Sequence, residues 1–178
     1  MKPFNELNQE NSLKWVASGK LQSELQTSAG EILARLTWKN PWSSLATGEA
    51  ADGMWTLKRA GFLRPKVTLR KAGTDSNTAE MQMSWNGGGE VILANGSRFQ
   101  FRRLGFWNPE LNVFSEAGKE ILSVKLNHSG REGSVILKPA QEDVETKSLL
   151  AILSWYVIVL ASEYDTGYEG AIVAIMAG

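Results

Sequence analysis

The chain has 178 residues, 43% of them hydrophobic, and its 19 basic and 19 acidic residues leave no net charge at neutral pH. A chain of this length suits one domain with a sizeable core, since roughly 70% of the unfolded surface can be buried. Cysteine is absent, which excludes thiol catalysis, disulfide frameworks and cysteine-based zinc sites. The balanced charge gives no general electrostatic case for nucleic-acid binding.

The N-terminal stretch MKPFNELNQENSLKW is polar and has no apolar core of the roughly 7 to 15 residues that a secretory signal requires. We therefore expect a cytoplasmic protein. Residues 1–12 are rich in Asn and Glu, and we expect them to be loosely ordered. No low-complexity linker divides the remainder, so residues 13–178 are expected to form a single domain.

Short segments with alternating apolar residues then follow one another, which is typical of half-buried strands. Gly, Asn, Pro and Ser separate them at a spacing of roughly 8 to 12 residues, which favours a sandwich or barrel over βαβ units. Asn86-Gly87 and Asn95-Gly96 predict hairpins, because Asn and Gly tolerate the positive φ of a type I′ turn. The predicted strands include residues 33–38, 67–70, 81–85, 91–93, 99–101, 111–114, 122–126 and 135–137.

The stretch LLAILSWYVIVLA, residues 149–161, contains no charge and is apolar on every side. Such a helix cannot lie on a water-facing surface, and thirteen residues are fewer than the roughly 20 that cross a bilayer. We therefore expect no transmembrane span and a helix at about 143–162 that is buried inside the sheet. Acidic residues near its start suit the positive end of the helix dipole. The apolar segment AIVAIMAG that follows fits either a last strand or a further helical turn.

Charge is unevenly distributed along the chain. Residues 58–103 contain nine basic and three acidic residues, a net charge of +6, whereas residues 142–169 contain six acidic residues and one lysine, a net charge of −5. Basic residues on one face attract phosphate-bearing surfaces, each contributing about 1 kcal/mol near an anionic membrane. Solvated faces that keep a neutral protein soluble are the competing interpretation. The candidate residues for binding an anionic headgroup are Lys58, Arg59, Arg64, Lys66, Arg70 and Lys71.

Signals for catalysis or metal binding are weak. The single histidine, His128, lies in the turn-like LNHSGREG, and the chain contains no GxSxG elbow, so a cryptic hydrolase is kept only as an alternative. A two-histidine metal site is impossible, and residues 75–80 lack the spacing and central glycine of a calcium loop. We expect no enzymatic activity, no cofactor and no metal.

The chain contains seven tryptophans, which can pack in a core or anchor an interface. Trp38 and Trp85 occupy alternating positions of predicted strands, and we expect both in the core. Trp42, in the loop KNPWSS, and Trp107, in GFWNP, are the better candidates for exposed contacts.

The element Gly-x-Trp-x-x-Lys-Arg-x-Gly, residues 53–61, occurs here together with many short strands and a closing hydrophobic helix. In this combination the chain resembles the tubby C-terminal-like superfamily, in particular its small LURP-one-related and scramblase-like members. The resemblance implies a closed antiparallel barrel of about twelve strands around the C-terminal helix. It also implies membrane association, which tubby domains achieve through phosphoinositide headgroups, although the palmitoylated cysteines of scramblases are absent. The matching residues are Gly53, Trp55, Leu57, Lys58, Arg59, Gly61, Phe62, Pro65, Val67 and Arg70.

We therefore expect a mainly-β protein, a closed antiparallel β-barrel enclosing a hydrophobic C-terminal helix. Its expected function is that of a non-enzymatic binding or scaffold module, with a protein partner or a structural role. The alternatives are binding of anionic, phosphoinositide-like headgroups through the basic strand region, and a cryptic hydrolase. The expected partner is a protein or an anionic membrane surface, with peripheral attachment in the second case, and not nucleic acid.

Overall fold

A computed structural model describes residues 1–7, 12–61, 63–105, 109–127, 132–139 and 142–166. A short 3₁₀ helix at Phe4–Glu6 precedes twelve strands and one long helix, α1 (Val144–Thr166). The strands are β1 (Ser12–Gly19), β2 (Gln22–Gln26), β3 (Ile32–Trp38), β4 (Ala46–Ala50), β5 (Gly53–Ala60), β6 (Lys66–Lys71), β7 (Asn77–Met83), β8 (Gly89–Leu93), β9 (Arg98–Leu104), β10 (Glu110–Ser115), β11 (Glu120–Leu126) and β12 (Glu132–Leu137).

The strands form one closed antiparallel barrel in which each strand pairs with its neighbours in sequence. Closure is made by β1 and β12, whose register places Leu13 opposite Val135 and Trp15 opposite Gly133. A closed barrel leaves no unpaired strand edge, which removes the usual site of edge-to-edge aggregation. The predicted barrel of about twelve strands around a C-terminal helix is confirmed.

In strands such as β5, alternation separates the inside of the barrel from its outer wall. In β5, Trp55 and Leu57 are fully buried, whereas Met54, Thr56 and Lys58 are exposed. This is the period of two that a pleated strand imposes on its side chains.

Both predicted hairpins form, but each Asn-Gly pair lies one position later in its turn than a type I′ turn requires. The Gly96 N–H donates to the Leu93 carbonyl at 2.9 Å, so Ala94 and Asn95 are the central residues. Gly96 follows them with φ +89°, the left-handed conformation that glycine adopts without strain. This is the pattern of a three-residue hairpin loop closed by a left-handed glycine.

Helix α1 lies inside the barrel, and its side chains from Leu149 to Ala161 are buried on every side. The predicted helix, about 143–162, ends four residues before α1 does, and the whole helix of 23 residues is longer than the thirteen uncharged residues on which the length argument rested. Length and composition would allow residues Val144–Ser162 to cross a membrane, but 83% of the apolar stretch is buried within the protein. Enclosure by the sheet therefore accounts for its apolar character.

Close packing fixes the helix against the barrel wall. Trp155 stacks on Trp15 of β1 with ring centroids 5.4 Å apart, and Tyr156 stacks on Trp38 of β3 at 4.9 Å. At Gly48 of β4 an added Cβ would lie 2.5 Å from the Ile152 side chain. The glycine is needed there because the helix lies directly against the strand backbone.

The barrel has two ends, which we name by the path of the helix. At the start end, where α1 begins, Ser148 donates a 2.7 Å hydrogen bond to Asp52 in the β4–β5 connection. At the exit end, Tyr156 donates to the Ser44 carbonyl in the β3–β4 connection. Because all neighbouring strands are antiparallel, successive connections alternate between the two ends.

Two expectations differ from the structure. Part of the N-terminal segment is packed rather than loose, since Phe4 is buried in the core and the Lys2 N–H donates to the Ile32 carbonyl at 2.8 Å. Trp85 was expected in the core and is instead 88% exposed. Strand β7 ends at Met83, so Trp85 falls in the turn, and the alternation that suggested a strand ends two residues before it.

Candidate functional site

The six basic candidates do not form one surface. Arg59 pairs with the buried Val67 and faces the interior near the exit end, where burial lowers the pKa of its guanidinium and Tyr156 opposes that shift. Lys71 also faces inward but at the start end, where its Nζ lies 2.7 Å from a carboxylate oxygen of Glu145 in the first turn of α1. These two cations therefore belong to opposite ends of the barrel.

Three candidates share the outer wall. Lys58 lies opposite Thr68, and Lys66 and Arg70 flank Thr68 on the same face of β6. Two of these three cations are already bonded to neighbouring polar side chains. Lys66 forms an ion pair with Glu80, and the Arg70 Nε donates to the Asn77 side chain at 2.8 Å.

A carboxylate lies in the middle of this wall cluster. Hydrogen bonds from Lys66 and then Asn77 lower the pKa of Glu80, and Glu80 pairs across the sheet with Thr68. An anionic headgroup bound among Lys58, Lys66 and Arg70 would lie beside the ionised carboxylate of Glu80. The two negative charges would repel each other, so such a site is electrostatically unfavourable.

The sixth candidate, Arg64, is exposed in the β5–β6 connection at the exit end. Large apolar side chains surround the same end of the barrel. Among the described residues, the four most exposed large hydrophobic side chains all lie there: Trp85 (88% exposed), Trp42 (74%), Leu63 (73%) and Leu104 (55%). We call these four residues the rim.

Local hydrogen bonds fix the two loops that carry the rim tryptophans. The Asn40 side chain accepts from the Trp42 N–H at 3.1 Å, and the Lys39 N–H donates to the Leu45 carbonyl at 2.9 Å. In the β7–β8 turn, the Asn86 side chain accepts from Ser84 and from the Gly88 N–H. These hydrogen bonds order the loop backbones, and Trp42 and Trp85 point into solvent from them. The exposure of the two tryptophans therefore results from ordered loop conformations.

The two ends of the barrel differ in charge. The six connections at the exit end contain four basic residues and no acidic one, a net charge of +4. The six connections at the start end contain six acidic and two basic residues, a net charge of −4, and no Trp, Tyr or Phe. The described basic residues of the exit connections are Lys20, Lys39 and Arg64, and all three are exposed.

The other candidate functional sites have little support in the structure. A pocket of about 210 Å³ at the start end is lined by Thr78, Leu93 and the first turn of α1, but its Asp143 carboxylate already caps the helix. Within the described ranges no cluster of three His, Asp or Glu side chains could hold a metal ion. The alternative catalytic residue His128 and the candidate contact Trp107 lie outside the described residues.

Similarity to known proteins is confined to the fold. No protein-family model matches the sequence, and no curated protein matches it. The structure is similar to the X-ray structure of a protein from Arabidopsis thaliana, with a TM-score of 0.50, 12% sequence identity, and coverage of 82% of this chain and 90% of that chain. At this identity the likeness shows a shared barrel architecture.

Sequence reasoning identified Trp42 and Arg64 but missed Trp85, Leu63 and Leu104 as exposed residues. One available signal was the loop composition, since the segments KNPWSSL, GFLRP and SWNGG each combine a large apolar residue with turn formers. Their common location at one end follows only from the alternation of connections around the barrel.

Proposed function

We propose that this protein is a non-enzymatic binding module of the tubby C-terminal-like class, and that it binds anionic lipid surfaces through the rim at the exit end. The observation that carries the proposal is that the rim exposes Trp42 and Trp85 on an end whose connections contain no acidic residue. The tubby-like class is supported by the closed barrel around α1 and by the matching element in β5, whose Trp55 packs in the core.

A membrane interface suits this chemistry. Tryptophan is amphipathic and concentrates at the level of lipid headgroups, while Lys and Arg are attracted to the negative surface of the cytoplasmic leaflet. In the proposed binding mode, Trp42 and Trp85 insert at headgroup depth, and Lys39 and Arg64 contact lipid phosphates. A peripheral location on the cytoplasmic side of a membrane follows from the same proposal.

The proposed headgroup site lies on the rim and not on the outer wall, where three of the six candidate residues lie. Lys58, Lys66 and Arg70 remain the alternative, and the two sites are separable by mutation because they lie on different surfaces. A protein partner is the competing class, since an exposed apolar patch with a charged border also suits protein association.

The test is co-sedimentation of the purified chain with vesicles of phosphatidylcholine, alone or with added phosphatidylserine or a phosphoinositide, at low and physiological salt. We expect binding only to the anionic vesicles, weakened by salt because exposed charges are screened. The double variant Lys39→Gln/Arg64→Gln should bind about 30-fold more weakly, as expected for about 1 kcal/mol per lost basic residue. Trp42→Ala/Trp85→Ala should also lose binding, with little change in the salt dependence.

The matched control is Lys58→Gln/Arg70→Gln, which removes the same charge from the wall and should bind like the parent. Loss of binding in this control with full binding in the rim variants would place the headgroup site on the wall. Absence of binding to every anionic vesicle would overturn the lipid proposal and leave a protein partner as the function of the rim.

A further inference from the structure

The open pocket at the start end has the size of one large side chain. Its volume is about 210 Å³, and its lining includes the apolar residues Leu93, Ala94 and Leu149 and the carboxylates of Asp143 and Glu145. Sites for small-molecule ligands usually measure roughly 300–1,000 Å³. The pocket is therefore better suited to a protein side chain than to a small-molecule ligand.

The polar edge of the pocket can accept further hydrogen bonds. Asp143 already accepts from Thr146, and Glu145 lies 2.7 Å from the Lys71 Nζ. A carboxylate accepts about four hydrogen bonds, so both side chains retain acceptor capacity. Tryptophan combines a large apolar ring with one N–H donor that seeks an acceptor when it is buried. The pocket therefore has the chemistry that a tryptophan side chain requires.

At the opposite end of the barrel, Trp42 is a tryptophan with a positively charged border. It is 74% exposed, and its loop, residues 39–45, also carries the exposed Lys39. The neighbouring β5–β6 connection carries the exposed Arg64. Trp85 differs in this respect, because its connection, residues 84–88, contains no charged residue.

The border of the pocket has the opposite charge. Asp143 is exposed at its edge, and the β6–β7 connection, which is next to the β8–β9 connection that lines the pocket, carries the exposed Asp75. Opposite charges on two surfaces attract each other and fix the register of their contact. Since the whole chain has no net charge, long-range repulsion does not keep two copies apart.

We propose that copies of this chain associate head to tail, with Trp42 of one copy seated in the start-end pocket of the next copy. The contact joins two different surfaces on opposite ends of the barrel. It therefore does not close into a symmetric dimer but extends into open chains of copies. The association uses the rim, yet it does not rest on the proposed lipid function.

The available area makes this association weak. A barrel of twelve tilted strands that are about 4.8 Å apart has a diameter of roughly 24 Å, so one end face covers about 450 Å². Burial of one end face on each of two copies removes about 900 Å² from water, which is less than the roughly 1,200 Å² of stable complexes. We therefore expect association that depends steeply on protein concentration.

The test is sedimentation velocity of the purified full chain from micromolar to millimolar concentration. We expect the average mass to rise steadily with concentration, without a plateau at the dimer, and to fall when salt screens the charges. Trp42→Ala and Ala94→Lys should each weaken the association about 30-fold, as expected when an interface loses a hot-spot contact. The first substitution removes the anchor, and the second fills the pocket from an exposed position and adds a cation. The matched controls Trp85→Ala and Thr56→Lys, also at exposed positions, should associate like the parent.

A mixture of the two variants distinguishes head-to-tail association from other arrangements. The Ala94→Lys chain retains Trp42, and the Trp42→Ala chain retains an open pocket. One chain of each kind can therefore associate, and the two ends that remain are both blocked. We expect each variant alone to be monomeric and the equimolar mixture to form a complex that stops at two chains.

A parent chain that stays monomeric at every concentration would overturn the proposal. An Ala94→Lys variant that associates like the parent would also overturn it, because the rim would then contact a surface other than the pocket. Far-UV circular dichroism shows whether each variant is folded. If both variants are folded and their mixture stays monomeric, the contact between Trp42 and the pocket is excluded. None of these outcomes depends on vesicle binding, so failure here and failure of the lipid function are separate results.

Discussion

Asp143 shows how one side chain sets the start of the helix. Its carboxylate accepts from the Thr146 N–H at 2.8 Å and from the Thr146 hydroxyl at 2.9 Å, which is the geometry of an N-cap. The backbone hydrogen bond from Thr146 lowers the pKa of Asp143 more than its partial burial raises it. The ionised form is therefore the one that the folded protein stabilises.

Replacement of this cap should produce a pH-dependent loss of stability. A depressed folded pKa contributes stability above the unfolded value, about 3.9, and that contribution is lost as the pH falls through the folded value. We expect Asp143→Ala to lower the free energy of unfolding by about 0.5–1 kcal/mol at pH 7, the lower part of the range for caps, because the residue is exposed. In urea unfolding between pH 7 and pH 3, the difference in the free energy of unfolding between the parent and Asp143→Ala should become smaller as the pH falls.

The exposed Asp75 in the β6–β7 connection offers the control. Asp75→Ala should stay within about 0.5 kcal/mol of the parent at every pH, as substitutions at featureless surface positions do. If the difference in the free energy of unfolding between the parent and Asp143→Ala became larger on acidification, the capping role would be contradicted.

Helix α1 supplies the inner part of the core, and its side chains from Leu149 to Ala161 are all buried. Leu153 and Val157 are both fully buried between the helix and the strands. An ionised carboxylate at either position has no partner to compensate for its lost hydration.

Leu153→Asp or Val157→Asp should therefore prevent folding of the barrel, since an unpaired buried charge costs several kcal/mol. The measurement is soluble yield together with far-UV circular dichroism. Ile136→Asp, an apolar-to-acidic change at an exposed position of β12 on the outer wall, should remain folded. A native-like Leu153→Asp variant would be incompatible with an enclosed helix.

At the scale of the whole molecule, barrel and helix depend on each other. Without α1, the barrel would surround an empty apolar cavity lined by Trp15, Trp38 and Leu57, and such cavities are strongly destabilising. Without the barrel, α1 would expose an apolar surface on every side.

We therefore expect one cooperative unfolding transition. Urea curves followed by far-UV circular dichroism and by tryptophan fluorescence should coincide within error, which is the usual test of two-state behaviour. A fluorescence transition that precedes the loss of secondary structure would show that the helix can leave an intact barrel.

The difference between the two ends also belongs to the whole molecule. Although the whole chain has no net charge, the connections at the exit end have a net charge of +4 and those at the start end a net charge of −4. In the proposed binding mode, this polarity turns the exit end towards the anionic surface before contact is made.

Sequence alone determined eight of the twelve strands and the enclosure of the helix, whereas β1, β2, β4 and β5 were not predicted from their own patterns. Alternation in segments such as ILSVKL and uninterrupted apolarity in LLAILSWYVIVLA depend on local geometry, and a helix that is apolar all round has few places to lie. It did not determine the length of α1, because the charged residues after Ala161 remain helical where the sequence suggested a stop.

The binding surface was decided by tertiary structure. Lys58 and Arg59 are adjacent in sequence, yet one lies on the outer wall and the other faces the interior, because neighbouring strand residues point to opposite sides. Trp42 and Trp85 are far apart in sequence, yet they lie on the same end of the barrel. Local patterns specify elements, whereas the alternation of connections around a closed sheet decides which loops meet, and that depends on the pairing of all twelve strands.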